Sequence, residues 1–544
     1  MLRLFLLNKK TLKTINKITL LFFGLLFVSS LYADNQSLTE QILKLDTKDF
    51  NSKIKVIEEI SKNESNLNLL ALKSILNGKL FIRKSDKKIL IIDIKNRKYH
   101  AYDFFENKEL GVLKKRKLKK IKINNNIRNI LSNKIGLIQI TRGNKNEKIE
   151  AILDILKEGD TETLKIINLG LSKEEDKDIV RLFDMAKDSI IARYGADNEK
   201  IEAIKRLSGS TNNDIVNILR SIIDDTSTNN YIKIEAKKAL SKSLKNIQIN
   251  NIFKTIFFGL SLGSVLLLAA IGLAITFGVV GVINMAHGEL IMIGAYCTYV
   301  VQQLIPNNLS ISIFISIPVA FLLTGLVGIL IERLVVKNLY GRPLETLLAT
   351  FGISLILQQT VRSIFSPLNK TVYSPEWMSG ITSIGGLELT NNRLIIIIFT
   401  LLVFLIVIYV LKRTTFGLHM RAVTQNRKMA SAMGINTKKI DMFTFAFGSG
   451  VAGVAGVALS QITNVGPNLG QNYIIDSFMV VVFGGVGNLF GTLIGAFGLG
   501  LGNKIIEPYV GAIVSKIFIL LFIIAFIQFR PKGLFTVKGR SADD

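Results

Sequence analysis

From Ile252 to the carboxyl end the chain runs in apolar blocks of near bilayer-crossing length, separated by short polar or basic segments. A helix needs about 20 mostly apolar residues to cross the hydrocarbon layer, where every backbone polar group has to be satisfied within the protein. Nine such blocks are expected as spans, near 256–282, 285–305, 311–332, 345–365, 393–411, 441–462, 473–487, 489–506 and 510–529. The two pieces between 473 and 506 are short and are broken at GGVGN, Gly484 to Asn488. Broken helices in such a domain line a cavity, and Gly484, Gly485 and Gly487 are the residues that permit the break.

Charge sets the orientation, because cytoplasmic loops carry an excess of Lys and Arg. Lys412, Arg413, Arg421, Arg427, Lys428, Lys438 and Lys439 share one loop without an acid, and Arg333, Lys337 and Arg342 mark another. Both are expected to face the cytoplasm. Nine crossings from an exported amino-terminal half bring the tail with Arg530, Lys532, Lys538 and Arg540 to the same side. The formal charge of +27 is spread through mixed-charge and loop regions, which argues against nucleic-acid binding.

The first half has different physics. All eight prolines and the one tryptophan, Trp377, lie beyond residue 300, which places a domain boundary near 250. Lys9, Lys10, Lys13 and Lys17 precede an apolar run from Ile18 to Val28 and end in Leu31-Tyr32-Ala33, the layout of a secretory signal cleaved after Ala33, with an uncleaved anchor as the alternative. The expected division is therefore a signal peptide at 1–33, an exported domain at 34–250 and a membrane domain at 251–544. Within the exported part, KIEAILDIL from Lys148, KIEAIKRLS from Lys200 and KIEAKKALS from Lys233 recur, with a looser KIKVIEEIS from Lys53. They resemble one helix of a HEAT-type pair, against the alternative that a Lys- and Ile-rich composition echoes itself by chance. LFIRKSDKKILIIDI, Leu80 to Ile94, alternates apolar and polar residues about a Ser-Asp turn and predicts a small β-hairpin. The fold class is all-α: a polytopic helical membrane domain preceded by a mainly helical, HEAT-like periplasmic domain with that hairpin.

Several chemistries are excluded. No GxxxxGK[ST] phosphate loop occurs, so any ATP hydrolysis belongs to another polypeptide. His100, His287 and His419 and the single Cys297 give no metal-ligand spacing, and Cys297 reads as a small packing residue. No cofactor, metal or catalytic residue is assigned. Three stretches remain. In GLAITFGVVGVINMAHGELIMIGAY (Gly272 to Tyr296), Asn284, His287 and Glu289 sit between apolar blocks. Buried at membrane depth they mark a pathway; in a short cytoplasmic turn Asn284 caps a helix and Glu289 is wet. In FGLHMRAVTQNRKMASAMGI (Phe416 to Ile435) a short helix suits docking into a partner's groove, or the segment is a solvated basic loop. In SQITNVGPNLGQNYIIDSFMVVVFGGVGNLFGTLIGA (Ser460 to Ala496), Gln461, Asn464, Asn468 and Asp476 precede the broken helices. Amides there bind a neutral polar solute or decorate an external loop.

NMAHGE, MRAVTQN and the Ser460–Ala496 block make residues 251 to 540 similar to the branched-chain amino-acid and urea permeases of ATP-binding-cassette (ABC) importers, and the exported extension resembles the urea branch. The resemblance implies alternating access in a bacterial inner membrane. It also implies a second permease subunit, two ATPase subunits and a periplasmic solute-binding protein as partners. Gly417, Met420, Arg421, Ala422, Asn426, Ala432 and Gly434 then belong to the ATPase-coupling segment, and Asn284, His287, Gln461, Asn464, Asn468 and Asp476 are the expected solute path. Urea, neutral and both donor and acceptor, suits an amide-rich lining. A branched-chain amino-acid or short-amide permease, a membrane-anchored sensor and a passive channel are the rivals.

Overall fold

The computed structural model describes residues 36–47, 49–63, 65–95, 98–106, 108–384 and 387–535; the expected signal peptide and Lys538 and Arg540 lie outside them. The chain divides into one unit ending at Asn246 and a second beginning at Ile247.

The first unit opens with α1 (helical over 36–44), α2 (Phe50–Lys62) and α3 (Asn66–Leu76). Side-chain oxygens of Asp49 and Ser65 accept from the free amides that begin α2 and α3. The expected hairpin is present as β1 (Leu80–Arg83) paired antiparallel with β2 (Ile89–Lys95). It is part of a larger sheet. With β3 (Lys98–Asp103), β4 (Glu109–Leu113) and β5 (Leu118–Lys120) it forms five antiparallel strands in the order β4-β3-β2-β1-β5. The added strands read KYHAYD, ELGVL and LKK, with too few apolar residues to show a strand pattern. Pairing of β3 with β2, of β4 with β3 and of β5 with β1 makes them strands, and that is a tertiary effect.

Beyond the sheet the unit is helical: α4 (Asn125–Arg142), α5 (Lys145–Glu158), α6 (Thr163–Leu171), α7 (Lys177–Tyr194), α8 (Asp197–Leu207), α9 (Asn213–Asp224) and the first residues of α10 (Asn230–Val280). They share a core that includes Ile152, Phe183, Ile204 and Leu219. The recurring KIEA segments fall in α5, α8 and α10, and the looser copy in α2. Their fourth positions, Ala151, Ala203, Ala236 and Val56, are all buried. The motif therefore marks an inward face each time.

The second unit holds the rest of α10, then α11 (His287–Leu304), α12 (Leu309–Leu334), α13 (Pro343–Phe365), α14 (Asn391–Arg413), α15 (Thr415–Gln425), α16 (Arg427–Ala432), α17 (Thr437–Ser460), α18 (Leu469–Gly484), α19 (Leu489–Val510) and α20 (Ala512–Phe529). A hairpin of β6 (Ile381–Ile384) and β7 (Leu387–Thr390) precedes α14. Each expected span is helical. Seven helices are long and apolar enough to cross a membrane among the described residues, and α11 and α18 are the two expected spans outside that set. The apolar window of α17 is 78% buried and that of α20 is 17% buried, so α17 is central and α20 peripheral.

Small residues explain that position. A Cβ on Gly294 of α11 would overlap the backbone of Gly453, one on Gly456 would overlap Ile291 and Ala295, and one on Gly448 would press on Gly272 and Thr276 of α10. Between helices in lipid, backbone contact of this kind replaces the hydrophobic drive available in water. Cys297 is buried beside Ala320 and Val457, in the packing role expected for it.

The loops sort into two ends. At one, Gly487 lies against Gly278, the Phe535 amide donates to Gly484 O (3.2 Å), Lys412 stands 5.2 Å from the Phe490 ring centre and Arg427 pairs with Asp441. At the other, Lys370 bridges Val465, Gln302 exchanges two 2.8 Å hydrogen bonds with the Tyr373 backbone, and the Trp377 indole donates to Ser310. The basic loops at 333–342 and 412–439 and the tail residues Arg530 and Lys532 share the first end.

Gly294→Val is expected to cost about 1–3 kcal/mol or more through overpacking. In detergent it should lose the monodisperse size-exclusion peak, whereas Gly498→Ala, where a Cβ meets nothing within 4 Å, should keep it.

Candidate functional site

The two short helices meet at their beginnings. Gly288 is the second residue of α11 and Gly470 the second of α18, and a Cβ on either would collide with the backbone of the other. The junction is internal: Glu289, next in α11, accepts a 2.8 Å hydrogen bond from the hydroxyl of Ser354, the midpoint of α13. Two helix starts thus turn their free amides and positive dipole ends toward one place within the membrane unit.

Residues 281–286 bring the chain there. Gly281 reverses direction with φ +72°, and the Asn284 side-chain oxygen accepts from the Ala286 amide (3.0 Å). The Met285 amide donates to Thr350 of α13 (3.2 Å). His287 Nε2 lies 2.8 Å from Ala269 O of α10. A carbonyl only accepts, so Nε2 carries the proton and Nδ1 offers a lone pair. Asn284, His287 and Glu289 are at most 1% exposed. Asn284 therefore caps the turn and is buried, and Glu289 is not wet. Asn284 Nδ2, His287 Nδ1 and Glu289 Oε2 are buried without a hydrogen-bond partner, a costly state for polar atoms.

The facing wall is α13. Thr346, Thr350, Ser354 and Gln358 recur every fourth residue and are all buried, while Leu348, Leu355 and Ile356 are exposed. Gln358 Nε2 donates to Pro467 O (3.3 Å) and Asn468 Oδ1 (3.1 Å), and the Arg362 guanidinium donates to the same Asn468 oxygen (2.8 Å). Asn468 thereby fixes the start of α18 to α13.

Of the expected path residues, Asn284 and His287 stand together and Asn468 joins them through the α13 stripe. The other three lie elsewhere. Gln461 caps the end of α17, donating to Ser460 (3.0 Å) with its own Oε1 buried and unpartnered. Asn464 is exposed. Asp476 pairs with Lys516 of α20 at 3.1 Å. Ser354, Gln358 and Arg362 are not among the expected residues, although their fourfold spacing in TLLATFGISLILQQTVR is a visible sign of a polar stripe on an apolar helix. At the break, α18 ends at Gly484, and Gly485 and Gly487 take φ of +105° and +82°, left-handed values that favour glycine.

The Phe416–Ile435 segment forms two short helices, α15 and α16. Gly417 packs on the backbone of Leu411, Arg421 donates to Leu411 O, Met420 is buried, and Asn426 caps α16 through the Met429 amide (2.9 Å). Ala422 is half-buried, whereas Ala432 and Gly434 are exposed beside Leu418, Met429 and Met433. Arg427, the first residue of α16, pairs with the buried Asp441 of α17 and lies 4.9 Å from the Tyr340 ring centre. Burial, then the carboxylates of Asp441 and Glu332, push the Tyr340 hydroxyl well above the ordinary tyrosine range.

Helices that begin inside a bundle of spans, with buried polar groups at the junction and a pair of surface helices at one end, define a helical membrane permease. A family profile described as "Branched-chain amino acid transport system / permease component" matches residues 255–527. The chain belongs to that family of ABC permeases. It is 28% identical over 285 residues to the high-affinity branched-chain amino acid transport system permease protein BraD of Pseudomonas aeruginosa, covering 51% of this chain and 93% of that protein. The LivH permease protein of Escherichia coli is 28% identical over 301 residues, with the same coverage. A probable branched-chain amino acid transport permease of Methanocaldococcus jannaschii is 28% identical over 284 residues, covering 50% and 88%. No solved structure matches the chain.

Glu289→Gln keeps an acceptor for Ser354 and replaces the unpartnered carboxyl oxygen with an amide donor. Leaving a buried donor or acceptor unsatisfied costs about 1–3 kcal/mol, roughly fivefold or more in affinity. The variant should purify folded and transport its solute with a KM raised by about that factor, measured by uptake in membrane vesicles.

Proposed function

We propose that the chain is the membrane-spanning permease subunit of an ATP-driven importer that carries urea across a bacterial inner membrane by alternating access. The carrying observation is the trio of unpartnered buried atoms at the α11–α18 junction: Asn284 Nδ2 donates, and His287 Nδ1 and Glu289 Oε2 accept. A small neutral solute that both donates and accepts suits a lining of this mixed character, and urea, with one carbonyl and two amino groups, is of that class. Asn468 shapes the same place through Gln358 and Arg362. Gln461 and Asn464 belong to the approach from the other end of the unit, and Asp476 stands midway along α18, paired with Lys516.

The end rich in Lys and Arg is the cytoplasmic one, which puts the tail inside and residues 34–250 in the periplasm. The buried fourth positions of the KIEA segments support a HEAT-like repeat there. The ATPase subunits dock on α15 and α16 through Leu418, Met429 and Met433. Arg427 links that surface to α17 and to the loop bearing Tyr340, a route for ATPase motion to reach the junction. A second permease subunit and a periplasmic solute-binding protein complete the importer, and ATP is hydrolysed by the partners.

A branched-chain amino acid is the second reading, favoured by the names of the relatives. Glu289 would then meet the ammonium group and the two helix starts the carboxylate.

Uptake of labelled urea at micromolar concentration, in cells with and without the chain, separates these readings, with labelled leucine and ATP-depleted cells alongside. ATP-dependent urea accumulation lost with the chain is the expected result. Loss of leucine uptake alone establishes the second reading, ATP-independent equilibration a channel, and no change in either a sensor. Leu418→Glu with Met429→Glu should abolish copurification of the ATPase subunits while leaving the permease folded.

A further inference from the structure

The first unit carries a cationic cleft that no transport step uses. Six of the eight residues from Leu113 to Lys120 are basic, and no acid occurs between Glu109 and Glu147. This segment joins the two edge strands of the sheet, β4 and β5. It faces the β1–β2 turn across a cleft of about 550 Å³ lined by Arg83, Lys84, Ser85, Leu113, Arg116 and Lys117. The cleft is held by backbone: the Lys84 amide donates to Lys117 O (3.0 Å), and the Lys117 amide to Lys114 O (2.9 Å).

Most of its charge is uncompensated. Arg83 pairs with Asp86, Lys88 with Asp103 and Lys119 with Asp46. Among the described residues, Lys84, Lys114, Lys115, Arg116 and Lys117 form no ion pair, and all five are exposed. Cations gathered around a concave surface repel one another unless an anion binds between them. Beside them on β4, Leu110 and Val112 are exposed at 37% and 53%. Exposed aliphatic side chains next to unpaired Lys and Arg are the composition of surfaces that sit at a lipid headgroup layer.

We infer that this cleft binds the phosphate group of an anionic phospholipid. The lipid is favoured over an acidic protein because the unit's chain continues in one helix, α10, into the first membrane span. The cleft is thereby confined to the neighbourhood of a bilayer, where the local concentration of headgroups is high.

The test is hydrogen–deuterium exchange of the full chain in nanodiscs of phosphatidylcholine alone or mixed with phosphatidylglycerol. Peptides covering 83–88 and 110–120 should exchange at least about fivefold more slowly in the anionic discs, and added salt should reverse this. K114Q/K115Q/R116Q/K117Q should abolish the difference while matching the native chain in phosphatidylcholine discs, and the charge-preserving R116K/K117R should retain it. Equal exchange in both discs overturns the proposal. So does equal protection in phosphatidylcholine discs by inorganic phosphate, which assigns the cleft to a free anion, or by the purified solute-binding protein, which assigns it to an acidic partner.

Discussion

A helix that begins inside a bilayer leaves its first amides without partners, and no water is at hand to satisfy them. In the membrane unit α11 and α18 both begin this way, neither with a side-chain capping bond, and polar residues gather around the two starts. Asn284 turns the chain ahead of α11, Asn468 stands ahead of α18, and Gln358 and Arg362 hold Asn468 to α13. The polar stripe of α13 follows from the same requirement. Its buried Thr, Ser and Gln side chains look toward the junction and its exposed Leu and Ile toward lipid, the reverse of an amphipathic helix in water. Among the buried polar atoms left without a partner are one donor and two acceptors around the first turn of α11.

Such a junction requires backbones to come very close, and glycine supplies the distance. Gly288 on Gly470, Gly294 on Gly453 and Gly448 on Gly272 bring α11, α17, α18 and α10 into backbone contact. Their arrangement is determined by which residues lack a side chain more than by which side chains attract. At the basic end, Gly485 and Gly487 reverse the chain between α18 and α19, and the tail closes over the reversal through the Leu534 and Phe535 amides. Arg427, Tyr340, Asp441 and Glu332 form a charged and aromatic cluster at that end, joining a surface helix to the buried start of α17.

Much of the fold was legible. The apolar blocks foretold nine helices, GGVGN foretold the break after α18, and the KIEA segments pointed to helices that bury the same position. The candidate site was legible in part. Asn284 and His287 sit in a motif placed between two apolar blocks, a conspicuous position for polar residues. Asp476 and Asn464 lie near the broken helices in sequence; one is tied to Lys516 and the other is exposed. Ser354, Gln358 and Arg362 are each an ordinary residue in an ordinary span, and only their common spacing sets them apart.

The sequence by itself determined what depends on composition and local periodicity: which segments are apolar, which loops are basic, where a chain lacking Cβ atoms turns, and that the first half differs from the second. Tertiary structure decided which helix starts face one another, which polar side chains lose water, and that three short segments without a strand pattern become strands of a five-stranded sheet. The physical reason is that hydropathy and backbone propensity act over neighbouring residues. Desolvation and hydrogen bonding at the junction depend on atoms from α10, α11, α13 and α18, brought together only by packing.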